Sequence, residues 1–294
     1  MADLEDPIDE EETWHKGNPG IADGIKSLSY MQAAAKRAMM SPANQPDFMA
    51  FDLNMPLSPN REMICTVNQW RGCETEYDEL PEAKGLCILG IDLGGSASMT
   101  CAVVFWPQTG RMESYGAFPN TPSLLERGIE DGVNRRYINM EKEGDIKTYP
   151  GRVTPVKEFL TDVLDNLAER RLRPHIMGAD RYRKAEAMEL FDDLNFNFEV
   201  EWRGQGASTT ADGSHDVRAW QKFVLDKKVQ HKPSLMVRSA IAESEIDRDA
   251  KGNPSLRRGR QRGRIDVLQA SVIATGIGKL RKAKKPDRRW AVVA

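Results

Sequence analysis

Residues 86–95 have the sequence Leu-Cys-Ile-Leu-Gly-Ile-Asp-Leu-Gly-Gly. A short apolar run that ends in an acid and two glycines is typical of a buried strand followed by a sharp turn. Residues 100–105, Thr-Cys-Ala-Val-Val-Phe, predict a second strand, and the turn sequence Pro-Gln-Thr-Gly at 107–110 leads into a third over 112–118. Three strands in such close succession predict an antiparallel meander.

Beyond residue 118 the spacing of apolar residues changes to the helical period of about 3.6. A first long helix is predicted up to Arg171, because one face carries Val156, Phe159, Leu160, Val163, Leu164 and Leu167. The remaining segments predict a strand over 175–179, a helix over 185–194, a strand over 196–202, a helix over 215–228, a hairpin with arms 243–249 and 254–258, and a closing helix over 265–282. This order is the layout of an RNase H-like α/β fold of the RuvC or integrase type: a mixed five-stranded sheet flanked by helices, with an added β-hairpin.

The chain divides into three segments on this pattern. Residues 1–84 form an N-terminal appendage, with a helical stretch over 25–40 but too little apolar periodicity for a core of its own, so we expect it to pack on another domain or chain. Residues 85–283 form the RNase H-like domain, and residues 284–294 form a basic C-terminal tail.

Charge is distributed unevenly along the chain, although the formal net charge is only −2. Seven acids and no base lie between Asp3 and Glu12, whereas twelve Lys or Arg and two acids lie between Arg257 and Arg289. Clustered cations favour a polyanionic partner, because they release counterions from phosphates; an ordinary solvated surface is the alternative. The four cysteines lack zinc-site spacing and no apolar stretch reaches membrane-spanning length, so a reducing cytoplasm is expected.

Three aspartates stand at points that this fold brings together. Asp92 ends the first strand, Asp180 ends the fourth strand, which lies beside the first, and Asp266 opens the last helix, which packs back across the sheet. Adjacent carboxylates repel one another unless cations neutralise them, and Mg²⁺ or Mn²⁺ accepts carboxylate oxygens. Two such ions roughly 4 Å apart can activate water and stabilise the leaving oxygen of a phosphodiester. The three aspartates are therefore the predicted metal ligands and catalytic residues.

Each aspartate also has a purely structural explanation. Asp92 could shape a strand exit, Asp180 could cap a helix, and Asp266 could serve the dipole of the last helix. The run from Ile91 to Ser96 is also compatible with the phosphate loop of a sugar-kinase or actin-type ATPase. That alternative requires a second Asp-Gly phosphate turn and a Gly-rich adenosine loop, and the sequence contains neither.

Basic residues close to these aspartates are the predicted DNA contacts. The segment 257–264 runs directly into Asp266, and guanidinium groups suit phosphate oxygens. A loop that contacts no DNA is the alternative for this segment. The predicted contacts are Arg257, Arg258, Arg260, Arg262 and Arg264, together with Arg183 and Lys184 beside Asp180.

With these residues assembled, the chain resembles the C-terminal nuclease half of the large terminase subunit of tailed phages. Residues 89–94, Leu-Gly-Ile-Asp-Leu-Gly, resemble the family's first catalytic strand, and residues 178–182, Gly-Ala-Asp-Arg-Tyr, resemble its second acidic motif. Residues 247–254 and 264–266, with the Ala-rich helix that follows, are similar to its hairpin and third acidic motif. The N-terminal segment resembles the stretch where the family's ATPase domain ends, at Asp6-Pro7, Thr13-Trp14 and Asn18-Pro19.

The resemblance implies a metal-dependent endonuclease that cleaves double-stranded DNA during viral genome packaging, in the cytoplasm of an infected bacterium. It implies the portal protein, the small terminase subunit and a packaging ATPase domain as partners. The Gly-x-x-x-x-Gly-Lys-Ser/Thr loop of that ATPase does not occur, so no ATP hydrolysis is expected from this chain alone. Two alternatives stay open: another RNase H-like nuclease, of the junction resolvase or transposase type, and a catalytically inactive DNA- or portal-docking module.

Overall fold

The computed structural model describes residues 2–3, 6–40, 44–55, 62–95, 98–184, 187–188, 191, 199–209, 212–259 and 263–283. The α-helices are α1 (Glu11–Gly17), α2 (Leu28–Met40), α3 (Gln45–Asp47), α4 (Val67–Arg71), α5 (Leu124–Glu130), α6 (Arg136–Lys142), α7 (Val156–Glu169), α8 (Asp212–Leu225), α9 (Leu235–Ala242) and α10 (Asp266–Ala283). The strands are β1 (Ile88–Asp92), β2 (Thr100–Phe105), β3 (Met112–Pro119), β4 (Ile146–Tyr149), β5 (Ile176–Asp180), β6 (Glu199–Arg203), β7 (Ser244–Arg248) and β8 (Pro254–Arg258). Short turns of 3₁₀ or π helix lie at Pro19–Ile21, Phe48–Asp52, Tyr77–Glu79 and Arg181–Arg183.

A mixed sheet with the strand order β4-β3-β2-β1-β5-β6 forms the centre of the fold. β1, β2 and β3 form the predicted antiparallel meander, in which Ile88 lies opposite Phe105. β5 pairs with β1 in parallel, with Gly178 opposite Gly90, and β6 runs parallel to β5 on its far side. These directions confirm the RNase H-like fold, with helices flanking a mixed sheet.

The described part of the sheet has six strands, so the prediction of five was wrong. The additional strand is β4, which pairs in parallel with β3 and places Tyr149 opposite Pro119. β4 has only four residues, and its pattern is too short to stand out in the sequence. The helices α5 and α6 that lead to it were also not predicted, because each has only seven residues.

The other predicted elements agree with the structure to within a few residues. β7 and β8 form the predicted hairpin as a separate two-stranded sheet. β6 is described from Glu199 onward, because the first residues of the predicted strand over 196–202 lie outside the described residues. Most of the predicted helix over 185–194 and the whole tail 284–294 also lie outside them.

The last helix, α10, crosses one face of the sheet in direct contact with its two central strands. A Cβ atom on Gly90 would overlap the carbonyl oxygen of Ala270 and lie 3.0 Å from the Cβ of Ala274. A Cβ atom on Gly178 would lie 2.5 Å from Cγ2 of Ile273. The helix can therefore approach β1 and β5 this closely only because both strands carry glycine at the crossing.

The opposite face of the sheet is covered by α7. Its buried residues are Phe159, Leu160, Val163 and Leu167. They belong to the same apolar cluster as Leu89, Ile91, Val104 and Met177 of the sheet. The central strands are thus buried on both faces, which explains the continuous apolar run that begins at residue 86.

Part of the N-terminal appendage is attached to the hairpin and to α8. The backbone N–H of Ile246 in β7 donates a 2.7 Å hydrogen bond to the carbonyl of Glu62. Trp70 stacks on Trp220 of α8, with ring centroids 5.8 Å apart. Residues 62–84 therefore pack on other parts of this chain, while the division at residues 84 and 283 stays a prediction.

The four cysteines Cys65, Cys73, Cys87 and Cys101 are all buried, and none of them forms a disulfide. Burial raises the pKa of each thiol, since a low-dielectric surrounding disfavours the thiolate. Across the described ranges, no helix combines the length and the apolar composition that a membrane crossing requires.

We predict that Gly90→Ala lowers the free energy of unfolding by about 3 kcal/mol, because the new methyl group collides with helix backbone that cannot move aside. Gly178→Ala should cost less, because the atoms it meets belong to flexible isoleucine side chains. Gly206→Ala is the control, since its Cβ would meet nothing within 4 Å. Urea unfolding measures all three, and equal losses at Gly90 and Gly206 would contradict the proposed packing.

We also predict a stability loss at acid pH that comes from His231. This ring is fully buried, with Nε2 2.9 Å from Ser114 Oγ and Nδ1 bonded to the Lys232 carbonyl, and burial lowers its pKa to about 4. Below pH about 6.5 the His231 ring binds a proton in the unfolded chain but not in the fold. The free energy of unfolding therefore falls as the pH is lowered. Between pH 6.5 and 5 this group should cost about 2 kcal/mol.

The measurement is urea unfolding at pH 7 and pH 5 for the wild type and His231→Gln. The variant should be less stable at pH 7 but should lose about 2 kcal/mol less on acidification. Identical losses in the two proteins would show that His231 does not stay neutral in the fold.

Candidate active site

Two of the three predicted aspartates lie side by side at the ends of two adjacent central strands. The parallel register of β1 and β5 runs to the pair Gly90 and Gly178, and both strands end two residues later, at Asp92 and Asp180. Adjacent strands are about 4.8 Å apart, so the two acids occupy neighbouring positions. Both residues are partly exposed.

Asp180 also caps the short 3₁₀ helix that follows it. Its Oδ1 accepts a 3.0 Å hydrogen bond from the backbone N–H of Tyr182, and its backbone is extended. Capping requires only one carboxylate oxygen. The capping explanation for Asp180 and a role in binding a cation are therefore compatible.

Asp266 is the first residue of α10 and is only 5% exposed. Its Oδ2 is buried and has no hydrogen-bond partner among the described residues. Burial raises the pKa of the Asp266 carboxyl, while Arg258, whose Nη2 lies 3.7 Å from Oδ1, opposes that rise. A backbone hydrogen bond from Met99 also favours the charged form. A buried carboxylate oxygen that lacks a donor is costly, so this position favours a bound cation.

Cys101 connects the environments of Asp92 and Asp266. It lies opposite Asp92 in the pairing of β1 with β2. Burial is the main cause of the raised pKa of its thiol, and the negative charges of Asp266 and Asp92 raise it further. Because such charge effects decline with distance, Cys101 lies near both carboxylates. This proximity could not be predicted, because Cys101 and Asp266 are remote from one another in the sequence.

The fold thus brings the three aspartates to the same end of the central strands, but their side chains are not arranged as a complete set of metal ligands. Within the described ranges, no three His, Cys, Asp or Glu side chains are grouped so that they could hold a metal ion. Asp92 and Asp180 end adjacent strands, whereas Asp266 approaches from the helix above them. The roles of these residues as metal ligands stay a prediction.

Three of the predicted DNA contacts have described side chains that are exposed. Arg257 is 55% exposed and lies 3.3 Å from Glu245, while Arg258 is 40% exposed. Lys184 is exposed and lies over the ring of Trp202, 5.7 Å from its centroid. Arg260, Arg262 and the side chain of Arg183 lie outside the described residues.

Arg264 differs from the other predicted contacts because its side chain points into the protein. Its guanidinium donates to both oxygens of Asp131, with Nε 2.9 Å from Oδ2 and Nη2 2.8 Å from Oδ1. The arginine and aspartate side chains are only 12% and 4% exposed. Tyr137 donates a 2.8 Å hydrogen bond to the same carboxylate. The expected contact between Arg264 and phosphate is therefore replaced by an internal ion pair.

A second buried ion pair joins β6 to α8 and lies next to α10. Arg203 donates from Nε to Asp216 Oδ2 at 3.0 Å and from Nη2 to Oδ1 at 2.5 Å. The Asp216 carboxylate occupies the space beside Gly276 in α10, where any Cβ would collide with it. The pair positions the edge strand against the last helix. It could not be predicted, because its two partners belong to different predicted elements.

No protein-family model matches the chain. The large terminase subunit of Enterobacteria phage HK97 is 23% identical over 272 residues, which cover 92% of this chain and 51% of that protein. The chain is similar to phage large terminases.

One solved structure agrees with this similarity at the level of the fold. The crystal structure of the HK97 bacteriophage large terminase superposes with a TM-score of 0.62 and 22% identity, over 92% of this chain and 55% of that one. The large terminase nuclease of thermophilic phage G20c gives a TM-score of 0.44 and 11% identity, over 71% of this chain and 95% of that one. The chain spans about half the length of the HK97 proteins that it matches.

We predict that Arg264→Ala lowers the free energy of unfolding by about 3 kcal/mol, because it leaves Asp131 buried without its cation. Arg257→Ala is the matched control in the same basic segment, and its exposed ion pair should contribute less than about 1 kcal/mol. Urea unfolding at neutral pH separates the two expectations. A loss at Arg257 as large as that at Arg264 would contradict the inward orientation of Arg264.

Proposed function

We propose that the chain is a metal-dependent endonuclease that cleaves double-stranded DNA during viral genome packaging. The observation that carries this proposal is the placement of three acids at the same end of the central strands. Asp92 and Asp180 end adjacent central strands, and Asp266 opens the helix that crosses them, with a buried oxygen that has no hydrogen-bond partner among the described residues. The similarity to a phage large terminase along 92% of the chain supports it.

The residues present fit a divalent cation such as Mg²⁺ or Mn²⁺, with two ions expected. Carboxylate oxygens are the ligands that these hard cations prefer, and the buried Oδ2 of Asp266 has no donor among the described residues. We assign Asp92, Asp180 and Asp266 as the ligands. Cations bound there would supply a water of lowered pKa and would stabilise charge on the phosphate oxygens.

The chain's own residues orient this centre and the DNA. The hydrogen bond from Tyr182 N–H fixes Asp180 at the end of β5, and the glycine crossing fixes α10 and with it Asp266. Arg257, Arg258 and Lys184 are exposed near these acids and are proposed to bind backbone phosphates. Contacts of this kind position a duplex without selecting its sequence, as a packaging nuclease requires.

The biological setting is proposed from the similarity to phage large terminases. Their role in genome packaging makes the portal protein, the small terminase subunit and a packaging ATPase domain the expected partners of this chain. Its place of action would be the cytoplasm of an infected bacterium.

One observation favours a second function, a DNA- or portal-docking module that binds no metal. Arg258 places a cation 3.7 Å from Asp266 Oδ1, and it could balance the carboxylate charge without a metal ion. The two functions differ in metal binding. A docking module would bind DNA with Arg258 against Asp266, whereas a nuclease must bring divalent cations to the same carboxylate.

Plasmid nicking with Mn²⁺ tests the nuclease. The wild type should convert supercoiled plasmid to the nicked form, and Asp180→Ala should lower the rate by at least about 100-fold because it removes a metal ligand. Asp165→Ala is the matched control: this acid lies on α7, outside the proposed centre, so the rate should not change. Nicking that survives Asp180→Ala would eliminate the proposed centre.

Calorimetric titration with Mn²⁺ separates the nuclease from the docking module. The wild type should show saturable binding that Asp92→Asn weakens by about 10-fold or more, since one anionic ligand is lost. Absence of saturable binding, with no change on Asp92→Asn, would favour the docking module.

A further inference from the structure

Glu243, which follows α9, forms hydrogen bonds on both sides of residues 260–262. Its backbone carbonyl accepts a 2.8 Å hydrogen bond from the N–H of Gly259. Its carboxylate Oε2 accepts a 2.7 Å hydrogen bond from the N–H of Arg264. The residue is only 2% exposed. The backbone of this one buried residue therefore holds the end of the hairpin, and its side chain holds the entrance to the last helix.

The carboxylate of Glu243 is itself held by Arg136 of α6. Arg136 Nη1 donates to Glu243 Oε1 at 2.9 Å and to Ser239 Oγ at 3.2 Å. The side chains of Arg136 and Glu243 are 8% and 2% exposed. Charge-assisted hydrogen bonds in such surroundings are strong and directional, so the position of the carboxylate is well determined.

This arrangement lies next to Asp266. Arg264, whose N–H binds Glu243, precedes Asp266 by two residues and so determines how the chain enters α10. A small cavity of about 10 Å³ separates the two acids, and it is lined by Met99, Tyr137, Ser239, Glu243, Arg264 and Asp266 among others. Met99 and Arg258 act on the Asp266 carboxylate itself, whereas the backbone that carries it enters α10 through Arg264, whose N–H is bound to Glu243.

We propose that Glu243 is a positioning residue for the metal-binding carboxylate of Asp266. This inference rests on the proposed function. Glu243 acts through the backbone of Arg264, to whose N–H it is bound, with Arg136 as its support. Residues that orient metal ligands in this indirect way commonly change metal affinity or activity 10- to 100-fold when they are replaced.

The test compares Glu243→Gln with Glu74→Gln. Arg136 and the Arg264 N–H donate to different oxygens of Glu243. Glutamine keeps the size of the side chain but has an NH₂ donor in place of one of these oxygens, so one of the two hydrogen bonds is lost. Glu74 is the matched control, because it is 6% exposed and pairs with Arg238 of the same helix, α9, away from Asp266. Both variants should lose thermal stability. Only Glu243→Gln should weaken Mn²⁺ binding, by about 10-fold in calorimetry.

A second measurement reports the position of the backbone without metal. Hydrogen–deuterium exchange of a peptide that spans residues 264–272 should be faster in Glu243→Gln than in the wild type and unchanged in Glu74→Gln. Arg136→Lys is the milder variant if Glu243→Gln does not fold. It keeps the positive charge but loses the guanidinium geometry, so it should shift both readouts in the same direction by a smaller amount.

The outcomes separate this inference from the proposed function. The positioning role alone would be overturned if Glu243→Gln kept the Mn²⁺ affinity and the exchange rate of the wild type. It would also be overturned if Glu243→Gln and Glu74→Gln lost Mn²⁺ affinity equally. A wild-type chain that shows no saturable Mn²⁺ binding would instead overturn the proposed function, and the role of Glu243 with it.

Discussion

The contact between the last helix and the two central strands is the constraint on which the candidate site depends. Gly90 lets the backbone of α10 lie directly on β1, and Gly178 leaves room on β5 for the side chains of Ile273 and Ile277. This contact fixes the height and direction of the helix above the sheet. Since Asp266 is its first residue, a shift of the helix by even one residue would change the position of that carboxylate relative to Asp92 and Asp180.

Buried ion pairs complement this apolar contact at both sides of the helix. Arg264 with Asp131 secures the chain before α10, and Arg203 with Asp216 secures the sheet edge beside it. Charges that are removed from water gain little stability unless their geometry is well satisfied. Their benefit here lies in orientation, because each pair accepts only a narrow range of positions for the elements that it joins.

Much of the fold could be predicted from the sequence, because β1, β2 and β3 have strong local patterns and the strand ends mark Asp92 and Asp180. β4 could not be predicted, since four residues in which only Ile146 and Tyr149 are buried give no period. The orientation of Arg264 was equally hidden. Its partner Asp131 is 133 residues away, and nothing in the run from Arg257 to Arg264 distinguishes the inward arginine from its exposed neighbours. Local sequence indicates which residues are charged, whereas tertiary contacts decide which charges remain available.

The stacked pair of Trp70 and Trp220 has a consequence for how the appendage can be observed. The rings are nearly parallel, with an interplanar angle of 9°, and one belongs to residues 62–84 while the other belongs to α8. Indoles held in such fixed, asymmetric surroundings contribute to circular dichroism in the near ultraviolet, and that contribution vanishes when tertiary packing is lost. The near-ultraviolet signal of this tryptophan pair therefore reports whether residues 62–84 are packed on α8. Detachment of the segment can be followed in this way without any nucleic acid or ion present.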